Sequence, residues 1–225
     1  MKASVVISAY QPDANLPKLV DGIKQACPLA SPASIIVVDD GSAGCEQYFA
    51  QAAEKGATVL HHEHNRGKGA AEKTGIAYAA EQGYVTAVTA DCDGQHSPQD
   101  IAALIAAAEA NPHALILGVR SFADMPLKSR MGNSIIRGLF RIKCGYRVSD
   151  VETGLRAYPL EKADQILAIE DEGYEFDVAI IARAKRIFGT VEEVPIHTIY
   201  GGGTGESHFD PVKDSIRALR ALMQS

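Results

Sequence analysis

Two aspartates separated by one residue follow a short apolar run in the segment TAVTADCDGQHSP, residues 86–98. In a strand, residues i and i+2 point to the same side, so Asp91 and Asp93 can reach one pocket. Two neighbouring carboxylates repel each other unless a cation lies between them or one takes up a proton. The pair is therefore typical of a divalent-metal site, of a nucleophile with its acid, or of a solvated turn.

Two segments resemble known phosphate-binding or phosphate-transferring motifs, but neither matches its motif fully. Segment 65–69 (NRGKG) resembles a P-loop, but it lacks the first glycine and has glycine after the lysine. Segment 91–94 (DCDG) resembles the aspartate pair of haloacid-dehalogenase-like phosphatases, whose motif continues with threonine and follows the first core strand. A hard cation held against a diphosphate explains more of the pattern, because Mg²⁺ and Mn²⁺ prefer carboxylate and phosphate oxygens. Gln95 could add an amide oxygen or hold a bound water.

Strands and helices alternate along the first half of the chain. Alternation of this kind predicts an α/β fold, a mostly parallel sheet flanked by helices on both faces. Ser97, Pro98 and Asp100 together predict a helix start, with a cap, a proline at the first position and an acid in the first turn. The predicted strands are 3–9, 34–39, 58–61, 84–90 and 114–118, and the predicted helices lie near 14–26, 43–55, 67–82 and 97–110.

Polar residues follow the predicted strands at the points where they end. Parallel sheets bind ligands at the carboxyl ends of their strands, so these residues should gather at one edge. An acid at a strand end can also cap the next helix, and capping remains an alternative role for each of these acids taken singly. The residues are Tyr10 after the first strand, Asp39 and Asp40 after the second, Asp91 and Asp93 after the fourth, and Arg120 after the fifth.

Composition narrows the class of protein. The chain has 225 residues and a formal net charge of −6, which argues against a nucleic-acid binder. Its four cysteines are scattered and form no C-x-x-C pair, as in reduced cytosolic proteins. No apolar run approaches the roughly 20 residues that a membrane span needs, and no signal peptide opens the chain. We therefore expect a cytoplasmic protein without a transmembrane segment. Peripheral contact with the inner face of the membrane is the alternative location.

The second half contains a basic segment in an otherwise acidic chain. Residues 128–147 include six basic residues and no acid, with apolar residues at helical spacing among them. This pattern predicts an amphipathic helix whose cationic side is either simply solvated or contacts an anionic lipid or a phosphate-bearing acceptor. A last helix is predicted over 211–223, and the glycine-rich stretch 201–205 between them is either a linker or the hinge of a closing loop.

Taken in order, eight segments resemble family 2 glycosyltransferases of the GT-A (Rossmann-like) fold, and within them the dolichol- or polyprenyl-phosphate sugar transferase branch. The resemblance implies a single domain over 1–225, with a nucleotide-binding half (1–120) and an acceptor-binding half (121–225). The segments are VVISAY (5–10), VVDDGS (37–42), NRGKGAA (65–71), ADCDGQH (90–96), GVR (118–120), VSDVETGLRAY (148–158), YEFDVAIIARAKR (174–186) and EVPI (193–196).

The resemblance also implies roles for individual residues. The nucleotide would be bound by Tyr10, Asp39, Asp40, Lys68, Asp91, Ser207 and His208, and Mg²⁺ or Mn²⁺ by Asp91, Asp93 and Gln95. The acceptor would be bound by Arg130, Asn133, Arg156 and Glu175, and catalysis would depend on Asp93, Arg120 and Asp150.

Two positions depart from the family pattern. The family's Pro-x-Tyr-Asn-Glu is replaced by Ser-Ala-Tyr-Gln-Pro at 8–12, so an acidic nucleotide contact is missing, and His208 stands where lysine or arginine is usual. The resemblance predicts metal-dependent, inverting transfer of a sugar from a UDP- or GDP-linked donor to polyprenyl phosphate. Transfer to a sugar hydroxyl would instead need a base, with Asp150, Glu175 and Asp177 as candidates. A non-catalytic nucleotide-sugar-binding protein is the remaining alternative. A sugar nucleotidyltransferase is disfavoured because its Gly-x-Gly-Thr-Arg opening is absent.

Overall fold

In the part of the chain that the structure describes, seven strands form one sheet with helices on both faces. The structure is a computed structural model and describes residues 2–27, 31, 34–120, 137–151, 153–197 and 213–224. The strands are β1 (Ala3–Ala9), β2 (Ile35–Asp39), β3 (Thr58–His61), β4 (Thr86–Asp91), β5 (Leu115–Arg120), β6 (Arg156–Pro159) and β7 (Val191–Ile196). The helices are α1 (Asn15–Ala26), α2 (Glu46–Glu54), α3 (Lys68–Glu81), α4 (Pro98–Ala110), α5 (137–144), α6 (Ala163–Leu167), α7 (Glu175–Phe188) and α8 (Lys213–Gln224).

The sheet is mostly parallel, with one antiparallel strand in its interior. Its order is β3-β2-β1-β4-β6-β5-β7. Every neighbouring pair is parallel except those of β6, which runs antiparallel to both β4 and β5. The predicted α/β fold is confirmed, and each predicted strand lies within two residues of an observed one. The motif at 156–159 was not predicted to be a strand.

The core has two layers, one on each side of the sheet. Alternate residues of β1 belong to different layers: Val6 packs on one side, and Val5 and Ile7 pack on the other. This alternation follows from the two-residue period of a strand. Helices α1, α2 and α4 cover the Val5 side, and α3, α5, α6, α7 and α8 cover the Val6 side. Both faces are buried, which explains why the strands are continuous apolar runs.

Helix α4 begins as its sequence predicts. The Ser97 hydroxyl accepts a hydrogen bond from the Asp100 amide at 3.1 Å and donates one to the Asp100 carboxylate at 2.7 Å. Pro98 occupies the first helical position, where a missing N–H costs nothing. The cap fixes the path of the chain directly after the two aspartates that end β4.

The basic segment is helical in its described part, as α5, followed by Arg147. The rest of that segment, with the predicted acceptor residues Arg130 and Asn133, lies outside the described residues, and so do Ser207 and His208. Among the described helices, none is both long enough and apolar enough to cross a membrane.

Candidate active site

The polar residues at the carboxyl ends of β1, β2 and β4 are brought to one edge of the sheet. In the strand register, Ala9 of β1 lies opposite Asp39 of β2, and Ser8 lies opposite Asp91 of β4. Asp39 and Asp91 are thus two strand spacings apart, about 10 Å. Tyr10 directly follows β1 and lies at the exit of the strand between them.

Asp39 holds the turn that follows β2. Its Oδ1 accepts a hydrogen bond from the Ser42 amide at 2.9 Å, and its Oδ2 lies 2.9 Å from Nδ1 of His61. The Ser42 hydroxyl in turn accepts a hydrogen bond from the amide of Gln11, a non-glycine residue with a φ of 50°. Strained backbone of this kind persists where the surroundings hold it in place, often at binding sites. The two turns after β1 and β2 are therefore fixed to each other.

Asp40 is buried and holds the loop between β3 and α3. Its carboxylate accepts hydrogen bonds from the amides of Arg66 (2.9 Å) and Gly67 (2.8 Å) and lies 2.7 Å from Nδ1 of His62. Gly67 has a φ of 105°, and a side chain there would meet the carbonyl oxygen of Glu172 at 2.5 Å. Asp40 thus fixes the backbone that leads into Lys68 at the start of α3.

The Lys68 ammonium lies among three carboxyl groups from three different elements. Its Nζ is 2.9 Å from Oδ1 of Asp91 at the end of β4 and 3.1 Å from Oδ2 of Asp177 on α7. Oε1 of Glu72, one turn further along α3, is 3.7 Å away. Burial works against the charged form of Lys68, but these carboxylates raise its pKa well above the usual value. Lys68 therefore stays protonated.

A second buried cation completes this cluster. Arg156, on β6, is fully buried and places Nη2 2.9 Å from Oδ1 of Asp177 and Nη1 4.0 Å from Oε2 of Glu72. Two cations then face three carboxyl groups, which leaves one negative charge uncompensated. Burial raises the pKa of Glu72 to about 8, so this residue keeps the extra proton near neutral pH.

Asp91 is ionised, and a buried histidine supports it. Burial alone would raise its pKa, but the Lys68 ammonium outweighs that and lowers the pKa to about 2. Nδ1 of His96 accepts a hydrogen bond from the Asp91 amide at 3.1 Å, so the neutral ring carries its proton on Nε2, 4.0 Å from Oδ2 of Asp91. Burial lowers the pKa of His96, which keeps the ring neutral.

Asp93 lies at the rim of the same site. Desolvation by the surrounding protein, and then the charge of Asp91, raise the pKa of Asp93. A cation between the two carboxylates would relieve this repulsion. Gln95 donates its backbone amide to Oδ1 of Asp93 at 2.9 Å, which holds the turn after β4.

These donors fit a hard divalent cation that is shared with a diphosphate. In the described residues no group of three or more His, Cys, Asp or Glu side chains could hold a metal by itself. Mg²⁺ is commonly held by one or two carboxylates together with substrate phosphates. Asp91 and Asp93 supply such a partial set, and Gln95 lies in the same turn.

Gly154 allows the Lys68–Asp91 pair to lie against the backbone before β6. A Cβ atom at this position would be 2.6 Å from Oδ2 of Asp91 and 2.6 Å from Nζ of Lys68. Thr89 of β4 fixes that backbone, because its hydroxyl donates to the Gly154 carbonyl at 2.9 Å. The absence of a side chain at 154 is thus a requirement of the site.

Arg120, at the end of β5, forms a two-point ion pair with Asp150. Its Nε donates to Oδ2 at 2.5 Å and its Nη2 donates to Oδ1 at 3.0 Å. The Asp150 carboxylate is completely buried, whereas the Arg120 side chain retains 24% exposure. Only β6 separates β5 from β4, and β4 and β5 run the same way, so the pair lies about two strand spacings, roughly 10 Å, from the end of β4. Asp150 therefore orients Arg120 toward the site.

Most of the described residues that the sequence singled out converge on this edge of the sheet. Lys68, Asp91, Arg156 and Asp177 form one cluster, and Asp39, Asp40 and the Arg120–Asp150 pair flank it. Glu175 lies at the start of α7, where its Oε1 accepts a hydrogen bond from the Gly173 amide at 3.1 Å.

Sequence reasoning missed Glu72, His62, His96 and Gly154. Glu72 could have been found from its spacing, since a residue four positions after Lys68 lies on the same face of a helix. His96 and Gly154 lie inside segments 90–96 and 148–158, which carry the family resemblance, but the sequence assigns them no role. His62 carries no local signal, because its role depends on contacts with Asp40 and Thr74.

Comparison with known proteins shows the family and the fold of the chain. The model of the family Glycosyl transferase family 2 matches residues 4–166. The chain is 31% identical over 204 residues to a polyprenol monophosphomannose synthase of Mycolicibacterium smegmatis, covering 85% of this chain and 75% of that protein. It is 36% identical over 151 residues to a UDP-N-acetylglucosamine–dolichyl-phosphate N-acetylglucosaminyltransferase of Methanococcus voltae, covering 63% of this chain and 59% of that protein.

A solved structure shares the fold. Glucosyl-3-phosphoglycerate synthase from Mycobacterium tuberculosis, crystallised with Mn²⁺, UDP-glucose and phosphoglyceric acid, superimposes with a TM-score of 0.78 at 17% identity. The match covers 99% of this chain and 79% of that one. The predicted GT-A fold and the predicted resemblance to the polyprenyl-phosphate branch are confirmed. The chain belongs to glycosyl transferase family 2, and it is a glycosyltransferase.

Proposed function

We propose that this enzyme transfers a sugar from a UDP- or GDP-linked donor to the phosphate of a polyprenyl acceptor, with a divalent cation and with inversion at the anomeric carbon. The names of its relatives, a polyprenol monophosphomannose synthase and a dolichyl-phosphate N-acetylglucosaminyltransferase, support this acceptor class. The observation that carries the proposal is the group of Lys68, Asp91 and Asp93 at the strand ends, beside the turn held by Asp39.

In this proposal the nucleotide lies across the end of β1, in the half formed by 1–120. Tyr10 and Asp39 contact the base and ribose, and Lys68 faces the diphosphate. Asp40 acts through the loop that carries Lys68, because its oxygens are already engaged by that loop. Ser207 and His208, which lie outside the described residues, would add further contacts to the nucleotide.

The cation would be held by Asp91 and Asp93, with Gln95 beside them. When bound, it would act as a Lewis acid toward the diphosphate oxygens. Arg120, oriented by Asp150, would stabilise the same negative charge as the nucleoside diphosphate departs.

The transfer itself is a single displacement. An oxygen of the acceptor phosphate forms a bond to the anomeric carbon while the bond from that carbon to the β-phosphate oxygen breaks. The electron pair of the broken bond leaves with the nucleoside diphosphate. A phosphate acceptor is already anionic, so no proton has to be removed. Arg130, Asn133, Arg156 and Glu175, in the half formed by 121–225, are the proposed acceptor-side residues, with Arg156 acting from its buried position through Asp177.

The ion pairs of the candidate bases favour a phosphate acceptor over a hydroxyl. Asp150 is buried against Arg120, and Asp177 lies between Lys68 and Arg156. Neither carboxylate can reach an acceptor hydroxyl without first leaving its cation. Glu175 is the one remaining candidate base.

The experiment that tests the proposal measures release of nucleoside diphosphate from a panel of UDP- and GDP-sugars, with Mg²⁺ or Mn²⁺, with and without polyprenyl phosphate. We expect release that requires both the cation and the lipid phosphate. Asp91→Asn and Asp93→Asn should lose most of it, whereas Asp164→Asn, the same change at an exposed position on α6, should not. Release that needs a sugar acceptor in place of the lipid would overturn the acceptor assignment. Near-normal turnover of both site variants would overturn the metal assignment.

A further inference from the structure

Exposed large apolar side chains concentrate on two helices. Among the described residues five such side chains are exposed, and four of them lie on α5 and α8. Ile142 is 84% exposed and Met223 is 61% exposed, and Leu139 and Leu219 are 39% and 40% exposed. Scattered exposed apolar residues are ordinary, but a concentration of them marks an interaction surface.

The same two helices expose a concentration of positive charge. Arg141 and Lys143 on α5, Arg147 just after it, and Arg217 and Arg220 on α8 are all exposed. The sequence contains no acid from 128 to 149, although the whole chain carries a formal net charge of −6. Segment 128–149 therefore has an excess of positive charge within an acidic chain.

The two helices adjoin each other. Nζ of Lys143 donates a hydrogen bond to the carbonyl oxygen of Met223 at 3.0 Å, which joins the end of α5 to the end of α8. Their inner faces are part of the core through Phe140, Ala221 and Leu222. What they expose is thus one outer surface, the α5–α8 face, formed by Leu139, Arg141, Ile142, Lys143, Arg217, Leu219, Arg220 and Met223.

We infer that the α5–α8 face rests on a bilayer surface that contains anionic phospholipid. Apolar side chains flanked by lysine and arginine are the pattern of helices that lie in the headgroup region. Basic residues near such a surface are attracted to its anionic headgroups, and the apolar groups are buried in the acyl boundary.

The α5–α8 face lies next to the active site along the chain. Asp150, which orients Arg120 at the carboxyl end of β5, follows α5 by six residues. Docking of this face would hold α5, and the segment that leads from it to Asp150, at the membrane surface. This inference deepens the proposed function and rests on it for the identity of the acceptor.

Co-sedimentation of the full chain with vesicles tests the inference. We expect binding to vesicles of phosphatidylglycerol and phosphatidylcholine in equal amounts, weak binding to phosphatidylcholine alone, and loss of binding as salt screens the charges. The double variant Ile142→Ser, Met223→Ser should bind about tenfold more weakly or worse, since two apolar side chains no longer enter the bilayer. Val85→Ser is the matched control, because Val85 is the fifth exposed apolar residue, at 50% exposure, and belongs to neither α5 nor α8.

Three results would overturn the inference: no binding of the wild type to anionic vesicles, equal binding of the double variant, or a dimer in light scattering that the double variant abolishes. The last would make the face an interface between two copies of the chain. Nucleotide release with a short-chain polyprenyl phosphate, dissolved without lipid, separates this inference from the proposed function. The double variant should turn over that acceptor like the wild type. If the wild type does not turn over this acceptor, the proposed function is wrong. Sedimentation with vesicles would still decide whether the α5–α8 face binds a bilayer.

Discussion

Replacing Gly154 by alanine tests whether the Lys68–Asp91 pair is the working arrangement of the site. The new methyl group would lie 2.6 Å from Oδ2 of Asp91 and from Nζ of Lys68, whereas ordinary van der Waals contact begins at 3.4 Å. Both charged groups would have to retreat by about 0.8 Å, and since they are the ends of flexible side chains, the backbone can stay in place. Gly154 has no positive φ, so the effect of the methyl group is steric alone.

A displacement of this size acts on catalysis far more than on stability. Misplacement of a catalytic group by about 1 Å can cost roughly 10²-fold in rate. We expect Gly154→Ala to lower kcat/KM for nucleotide release by about that factor and to weaken Mn²⁺ binding in the presence of UDP, with the thermal midpoint nearly unchanged.

The assay compares kcat/KM, Mn²⁺ affinity with UDP by electron paramagnetic resonance, and thermal unfolding for each variant. Gly138→Ala is the control, because a Cβ there meets nothing within 4 Å. Wild-type kcat/KM in Gly154→Ala would refute the reasoning. So would a crystal structure of the variant in which Lys68 still lies 2.9 Å from Asp91.

Three other substitutions test the charges around the site. Lys68→Met should raise the affinity for Mn²⁺ in the absence of nucleotide several-fold, since it removes the cation that occupies Asp91; unchanged affinity in a metal titration would contradict this. Burial raises the pKa of Glu72 to about 8 from 4.5, so the folded protein holds a proton there that the unfolded chain releases, and its stability should fall as pH rises from 5 to 8. Glu72→Gln should flatten that decline in urea unfolding measured across the same range, and an equally steep decline would exclude Glu72 as its source. Arg120→Lys should lose one hydrogen bond to buried Asp150, at a cost of about 1.5–3 kcal/mol, together with most of the activity; denaturant unfolding and turnover measure the two effects.

The elements of the first half could be predicted because their signals are local. The apolar run of β2 and the Ser97 cap of α4 each depend on neighbours within a few residues, and both were found where the sequence indicated. Strand β6 could not be predicted in this way, since its four residues gain their place from pairing with β4 and β5.

In the candidate site, too, some features follow from local sequence and others depend on contacts between distant residues. That acids gather at the strand ends follows from the parallel sheet alone. The Asp40 carboxylate accepts a hydrogen bond from the Gly67 amide, 27 residues away in sequence. Lys68 contacts Asp91 and also Asp177, which is 109 residues away. Residue types and spacing along the chain contain no information on such contacts.

The position of β6 has a consequence for how the chain can reach its native state. β4 and β5 are consecutive strands, yet they do not pair, because Arg156–Pro159 lies between them. A nascent chain that ends before residue 156 can therefore assemble β1 to β4 but has no strand against which to dock β5. Pairing β6 with β4 closes a long loop, and the entropy of that loop is lost before the new contacts form. We therefore expect β5, β6 and β7 to join the sheet late in folding. The same insertion ties residues 1–120 to the rest of the chain, since cutting the chain after Arg120 would remove the strand that attaches β5 to β4.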